Sequence, residues 1–378
     1  MTSGWSAYGL IVTNSFRNNY DRTVDNITVQ RSLFHENIIN PDAINQRNHN
    51  VGLLLGVIGE GGSENDWNKV GRFSIHKNAF IGVSHRFPNI AGGDAARFDI
   101  INNYVQGFDG GGHKRLVRAG GNAHNDFRNN AYQETLYSPS FSPENLIGFQ
   151  YGEFIPTVDF NADDEAPNFH IDGNLFLSNM GQRLDITDII EDSNGRDMLH
   201  VWTPVDKSYF PNLILRDTPN TPPQVPVSIL SANEVKDNVL NNVGGNVKFS
   251  SDGSTYVDNS IDTMYLDWAK NNDAPHNITS TVGDGGIGDS DRFIHPVYNT
   301  DPAVDLNIID TDRDGMPNTW ELANNLDPDV KNNNAIRADR NWNLSGYRVI
   351  NNAGYTDLEM YLADIAGDFH MLAKEINK

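Results

Sequence analysis

Cysteine is absent from the 378 residues, so neither disulfide cross-links nor thiolate metal sites are open to this chain. Long apolar runs are missing too, and no stretch could span a bilayer as a helix. Met1–Leu10 lacks the basic start and apolar stretch of a secretory leader. Basic residues are scarce: 28 Lys and Arg stand against 50 Asp and Glu, for a net charge of -22. That balance disfavours nucleic-acid backbones and anionic membranes as partners of the bulk surface. A polyanionic ligand would need a local basic strip or bridging cations. The charge suits a well-solvated, extracellular protein.

What the sequence does have is a repeat, clearest in Gly71–Gly107. Two short alternating runs, FSIHKNAF and FDIINNYV, lie there 25 positions apart, with Asn78 and Asn103 equivalent. Apolar residues recur at every second position and Gly or Pro punctuates the ends, so each run reads as a brief strand. ITVQRSLF fits the same template upstream, and NDFRNNAY and FHIDGNLF fit it downstream. The aligned turn positions are Ser32, Asn78, Asn103, Asn130 and Asn174. Two wider gaps hold strand-like fillers, Val51–Ile58 and Leu146–Gly152. A fixed period of this size predicts stacked coils in which neighbours share one continuous core. A recurring Asn at one turn predicts an amide ladder along the stack.

In chain order, Met1–Asn26 is too short of helical pattern to cap such a stack. A stack end exposes strand edges that proteins normally cover, so further coils from a second polypeptide or protomer are expected over the N-terminal end. From Asp185 to Pro226 the sequence turns irregular and Pro-rich and reads as a strap laid over the coils. Ser231 and Glu234 form a capping box ahead of an amphipathic helix over Ala232–Val243. A second helix is expected within Tyr256–Asn271, starting near Asp258. The expected divisions are coils over 1–184, a strap with short helices over 185–300, and a small, mostly helical tail over 301–378.

The sharpest local motif is Asp310-Thr311-Asp312-Arg313-Asp314-Gly315-Met316-Pro317-Asn318-Thr319-Trp320-Glu321. Oxygen-bearing side chains fall at positions 1, 3, 5, 9 and 12 (Asp310, Asp312, Asp314, Asn318, Glu321), with glycine at 6 and the Met316 carbonyl at 7. Calcium takes six to eight hard oxygens around a sharp turn, which this spacing supplies. Ca2+ is therefore the expected cofactor, in a structural role. Asn351–Glu359 has a similar outline but lacks carboxylates at the early positions, so a second ion is not expected there.

Three features in order resemble pectate lyases of the polysaccharide lyase family 1 type. The first is NITVQRSLF, then HNVGLLLG, FSIHKNAF, SHRFP and FDIINNYV, with an Arg-x-Pro motif at Arg86–Pro88. The second is SANEVKDNVLNNVGG followed by YVDNSID, and the third is DTDRDGMPNTWELANNLDP with GYTDLEMYL. Together they cover most of residues 26–364 and match the C-terminal portion of such an enzyme. The resemblance implies an all-β fold, a right-handed parallel β-helix with an irregular strap and a small calcium-binding C-terminal region. It also implies β-elimination on uronate-containing, pectate-like polysaccharide, and a secreted or surface-associated location.

In that chemistry a proton leaves C5 beside a carboxylate, so the transition state needs positive charge on the carboxylate, a base and a departing 4-oxygen. The resemblance assigns the base to Arg86. A guanidinium is effectively always protonated, so the chemistry alone assigns Arg86 to neutralising the uronate. Arg47, His49, His85, Pro88, Arg97, Arg115 and Arg118 are the candidate substrate contacts, with Lys114 beside them. Two departures bear on activity: Asn89 and Ala91 stand where many relatives carry a further arginine, and the coils that hold the family's catalytic calcium lie upstream of Asn26. The expectation is a lyase whose upstream coils come from a partner chain. The alternative is an inactive β-helix that binds glycan or builds a surface or virion structure.

Overall fold

The computed structural model describes residues 8–15, 24–35, 51–58, 69–83, 87–106, 117–133, 149–150, 168–177, 189–191, 197–199, 214–220, 229–244, 247–249, 255–257, 261–272, 305–338, 340–351 and 354–366. The chain divides into two compact units, one of Met1–Asn220, Leu230–Gly244 and Ile261–Ile294, the other of Thr221–Ile229, Gly245–Ser260 and His295–Lys378.

The first unit is mostly strands in three sheets. One sheet contains, in spatial order, β1 (Tyr8–Ser15), β4 (Val51–Ile58), β7 (Asn89–Gly92), β10 (Val117–Gly121), β13 (Phe149–Gln150), β17 (Asp197–Leu199) and β16 (Ile189–Glu191). The second contains β18 (Ile214–Leu215), β14 (Asn168–Asp172), β11 (His124–Arg128), β8 (Arg97–Ile101), β5 (Arg72–His76) and β2 (Ile27–Gln30). The third contains β15 (Leu175–Leu177), β12 (Ala131–Gln133), β9 (Tyr104–Gln106), β6 (Ala79–Ile81) and β3 (Leu33–His35). From β4 to β15 the chain visits the sheets in a fixed cycle, first, second, third, and every pairing within that run is parallel. The exceptions come later, where β17 pairs antiparallel with β13 and β16. Both fillers, Val51–Ile58 and the stretch around Phe149, are strands of the first sheet.

The expected ladder is present. Asn78 Nδ2 donates to Asn103 Oδ1 at 2.9 Å, Asn103 Nδ2 to Asn130 Oδ1 at 3.0 Å, and Asn130 Nδ2 to Asn174 Oδ1 at 2.9 Å. Each ladder oxygen also accepts a backbone N–H from the neighbouring turn, beginning with Ser32 N–H to Asn78 Oδ1 at 3.0 Å. The remaining amide hydrogens go to the carbonyls of Val29, Ile75, Ile100 and Phe127. An amide both donates and accepts, so this row, buried at Asn78, Asn103 and Asn130 and half-buried at Asn174, satisfies itself. The residue before each ladder position is left-handed: Arg31 (φ 51°), Lys77 (54°), Asn102 (56°), Asn129 (50°) and Gly173 (65°). Four of these carry a side chain, a conformation that costs energy and that the ladder bonds hold.

Alternation decides the packing. On one face of the third sheet Leu33, Ala79, Tyr104 and Ala131 share a core with Val235, Val239 and Leu240 of α1 (Ala232–Asn242) and Tyr265, Leu266 and Ala269 of α2 (Ile261–Asn271). On the alternate positions Phe34 stacks on Phe80 with centroids 4.8 Å apart, as Phe73 does on Phe98 at 5.0 Å in the second sheet. Gly56, at φ +96°, has no room for a side chain, since a Cβ there would sit 2.0 Å from the Ala91 carbonyl oxygen. Helix α1 starts as expected: Ser231 N–H and hydroxyl both donate to Glu234 Oε2, at 3.0 and 2.5 Å. Helix α2 begins three residues later than expected from Asp258, because Thr255–Val257 pairs with Val247–Phe249 as an antiparallel hairpin, β20 with β19.

That hairpin belongs to the second unit. With it are α3 (Leu306–Ile309), α4 (Asn318–Ala323), the antiparallel pair β21 (Asn341–Leu344) and β22 (Tyr347–Ile350), and α5 (Asp357–Ala366). The tail is thus helix and hairpin together rather than mostly helical. Trp342, Leu344 and Val349 of the β21–β22 pair bury against Met316, Leu326, Met360 and Ala363. No helix among the described residues is long and apolar enough to cross a membrane.

Candidate metal centre

The Asp310–Glu321 loop folds around its own acids. Carboxylate oxygens of Asp310, Asp312 and Asp314 lie within 4.8 Å of one another. Ligands 2.3–2.6 Å from a shared calcium can be no more than about 5 Å apart, so the spacing fits one such ion. Backbone donors shape the cluster. Asp314 N–H donates to Asp310 Oδ1 and Asp312 Oδ1, each at 3.1 Å, and Gly315 N–H donates to Asp310 Oδ2 at 3.1 Å. Gly315 takes φ +96°, the turn that glycine at the sixth position allows. Met316 buries its side chain in the core, and its N–H donates to Asp314 Oδ1 at 3.0 Å.

Two oxygens decide the fit. Asp312 Oδ2 and Glu321 Oε2 are buried and accept no hydrogen bond. Glu321 is fully buried (0% exposed), and burial, then Asp314 and Asp312 beside it, push its carboxyl up to about 7. A carboxylate accepts only, so like charges gathered this way call for a cation. The donor set is all oxygen, which suits Ca2+ over softer metals. Asn318 differs from the other loop residues. Its Oδ1 accepts from Thr311 N–H at 2.9 Å while its amide donates to the Ile308 carbonyl and Thr311 Oγ1, so it closes the loop.

Sequence reasoning missed Asn332. Its N–H donates to Asp314 Oδ2 at 3.0 Å and its amide to Glu321 Oε1 at 3.3 Å, tying two of the acids together. No spacing rule reaches it, since it lies beyond the twelve-residue pattern.

A second polar cluster lies on the second sheet. The parallel register aligns Ser74, Asp99, Asp126 and His170 in one column. Asp126 is fully buried; it pairs with Arg216 Nη2 and accepts the Asn220 N–H at 2.7 Å. Burial, then Asp126, push the Asp99 carboxyl up to about 6, and Asn220 Nδ2 reaches it at 3.5 Å. Residues 216–220 are therefore fastened across the column by two acids. In the aligned repeats these acids fall four positions before Asn103 and Asn130, so the sequence carries their register.

The expected substrate contacts separate by sheet. Arg118 is the second residue of β10, where its backbone pairs with Asn89 of β7, which in turn pairs with Leu54 of β4. Pro88 is buried, following Phe87, whose ring packs edge-on against Phe80 at 5.3 Å. Arg97 opens β8 in the second sheet, beside Arg72 and His124 in register, and donates to the carbonyls of Asp94 and Ala96. Arg47, His49, His85, Arg86, Lys114 and Arg115 lie outside the described residues. Asn89 and Ala91 are each 1% exposed, so neither position offers the surface for a further cation.

No protein-family model matches the sequence, and no curated protein matches it. A solved structure described as the thermostable pectate lyase PL 47 aligns with TM-score 0.37 and 15% identity, covering 63% of this chain and 44% of that one. The chain spans under half of that protein's length. At this TM-score the likeness carries no argument; the fold rests on the strand register above.

Proposed function

We propose that the three-strand turns are rungs of a right-handed parallel β-helix that acts on uronate-containing polysaccharide by β-elimination, and that the C-terminal loop holds one structural Ca2+. What supports the first part is the order of the first sheet. Adjacent parallel strands β4, β7 and β10 are each entered from a basic stretch: Arg47 and His49 precede β4, His85 and Arg86 precede β7, and Lys114 and Arg115 precede β10. Parallel neighbours about 4.8 Å apart are entered from the same end. Basic residues recurring in the sequence ahead of successive strands suit a polymer with a carboxylate on each sugar, and would offset the repulsion of a chain at -22.

In this mechanism Arg86 neutralises the carboxylate beside the C5 proton as a base takes that proton. The C4–O bond breaks with its electron pair leaving on oxygen, and the C4=C5 double bond forms. The other basic residues that precede these strands bind the flanking uronates. The calcium loop takes no part in the chemistry and fixes the tail. The test is product formation: wild type is supplied with a panel of uronans plus calcium, alone and with any polypeptide that continues the coils, and unsaturated uronate is followed by ultraviolet absorbance. Growth of that absorbance supports elimination. Saturable binding to the same polymers with no product on any of them would replace the lyase with a glycan-binding β-helix.

A further inference from the structure

The tail contains a second stretch, Val349–Met360, that repeats the first loop's spacing without a carboxylate at the first, third, fifth or twelfth position. Aligning Gly315 with Gly354 places both at the sixth position, at φ +96° and +76°. With that alignment α4 and α5 both begin at the ninth position, Asn318 and Asp357. The first, fifth and twelfth positions, Asp310, Asp314 and Glu321 in the first loop, are Val349, Ala353 and Met360 in the second. Val349 and Met360 are both fully buried in the core that also contains Met316.

Resting on the reading of Asp310–Glu321 as the cation site, we infer that residues 349–360 form a metal-free copy of it, in which Asn351 and Arg337 replace a second ion. Asn351, at the third position, is 1% exposed. Its Nδ2 donates to the Tyr355 carbonyl at 2.6 Å and its Oδ1 accepts the Tyr355 N–H at 2.9 Å. Tyr355 occupies the seventh position, whose carbonyl would otherwise serve an ion. The fully buried Asp357 meets Arg337, whose Nε donates to its Oδ2 at 2.8 Å. An amide thus closes the loop and a guanidinium supplies the positive charge. Two apolar residues in ligand positions turn the rest of the site into core. The tail then takes one divalent cation where its duplicated frame suggests two.

Calcium stoichiometry of the full chain, by native mass spectrometry and calorimetric titration, tests this. One equivalent is expected in wild type, retained in Asn351→Ala and Asp357→Asn and lost in Glu321→Gln. Two equivalents, the second lost in Asp357→Asn, whose Oδ1 has no hydrogen-bond donor, would overturn the inference while leaving the first site intact. Zero equivalents in wild type would instead remove the calcium reading and this inference with it. Arg337→Ala gives an independent readout in calcium-saturated protein. Amide exchange across Asp357–Ala366 should accelerate roughly tenfold, calcium should not reverse it, and Arg337→Lys should restore part of the protection. Reversal by excess calcium would mean that a second ion can take the guanidinium's place, and would contradict the inference.

Discussion

The two units bury polar side chains by opposite means. Asn78, Asn103, Asn130 and Asn174 are neutral amides that give and take hydrogen bonds, so each turn completes the one before it. Asp310, Asp312, Asp314 and Glu321 accept only, and two of their buried oxygens have no donor. A row of amides closes on itself, whereas a cluster of carboxylates is complete only with something positive from outside. The first unit should therefore be indifferent to metal and the second dependent on it.

Chelation is the widest way to separate them. With calcium at about a thousandfold over its dissociation constant, the tail should gain about 4 kcal/mol from the bound ion. Hydrogen exchange with and without chelator should show that loss across 305–366 and leave the third-sheet strands unchanged. Next in size, Asn103→Ala should cost about 2–4 kcal/mol by denaturant unfolding, with or without calcium. It removes bonds to Asn78, Asn130 and the Ile75 carbonyl at once and leaves buried groups unpaired.

Asp99→Asn sharpens the comparison from the other side, because here a carboxylate within the first unit is the liability. Its folded value, about 6, lies above the ordinary 3.8. A raised acid favours folding while protonated, and that contribution drains away as pH rises from about 4 through about 6. The amide should therefore stabilise the protein by about 1–3 kcal/mol at pH 7 and by almost nothing near pH 4. Smallest, Arg31→Ala should cost about 1 kcal/mol through its 2.9 Å bond to Asn238 of α1.

How much was legible follows from where the information sits. The ladder positions are periodic, so five turns could be aligned from the sequence, and the same alignment held the Asp99–Asp126 column. The anchoring of residues 216–220 was not legible: Arg216 and Asn220 meet Asp126 across 90 and 94 residues, with no period to announce them. The Asp310–Glu321 cluster could be read because its acids are local, while Asn332 joins it from outside the pattern. The β21–β22 hairpin is signalled only weakly, by Trp342 and Leu344 in one four-residue strand and Tyr347 and Val349 in the next, too short a run to fix strands from periodicity alone. Which sheet holds Arg118 and which holds Arg97 needed strand order, which sequence alone could not supply. One lies in the first sheet beside β7 and the other in the second.

That separation gives the most direct test of the proposed function. Unsaturated-uronate absorbance would be measured on de-esterified pectate with calcium for wild type, Arg86→Ala and Arg97→Ala under the conditions in which wild type is active. A catalytic row along the first sheet predicts that product vanishes in Arg86→Ala and persists in Arg97→Ala, whose guanidinium is already engaged by the carbonyls of Asp94 and Ala96. Undiminished product from Arg86→Ala would contradict it.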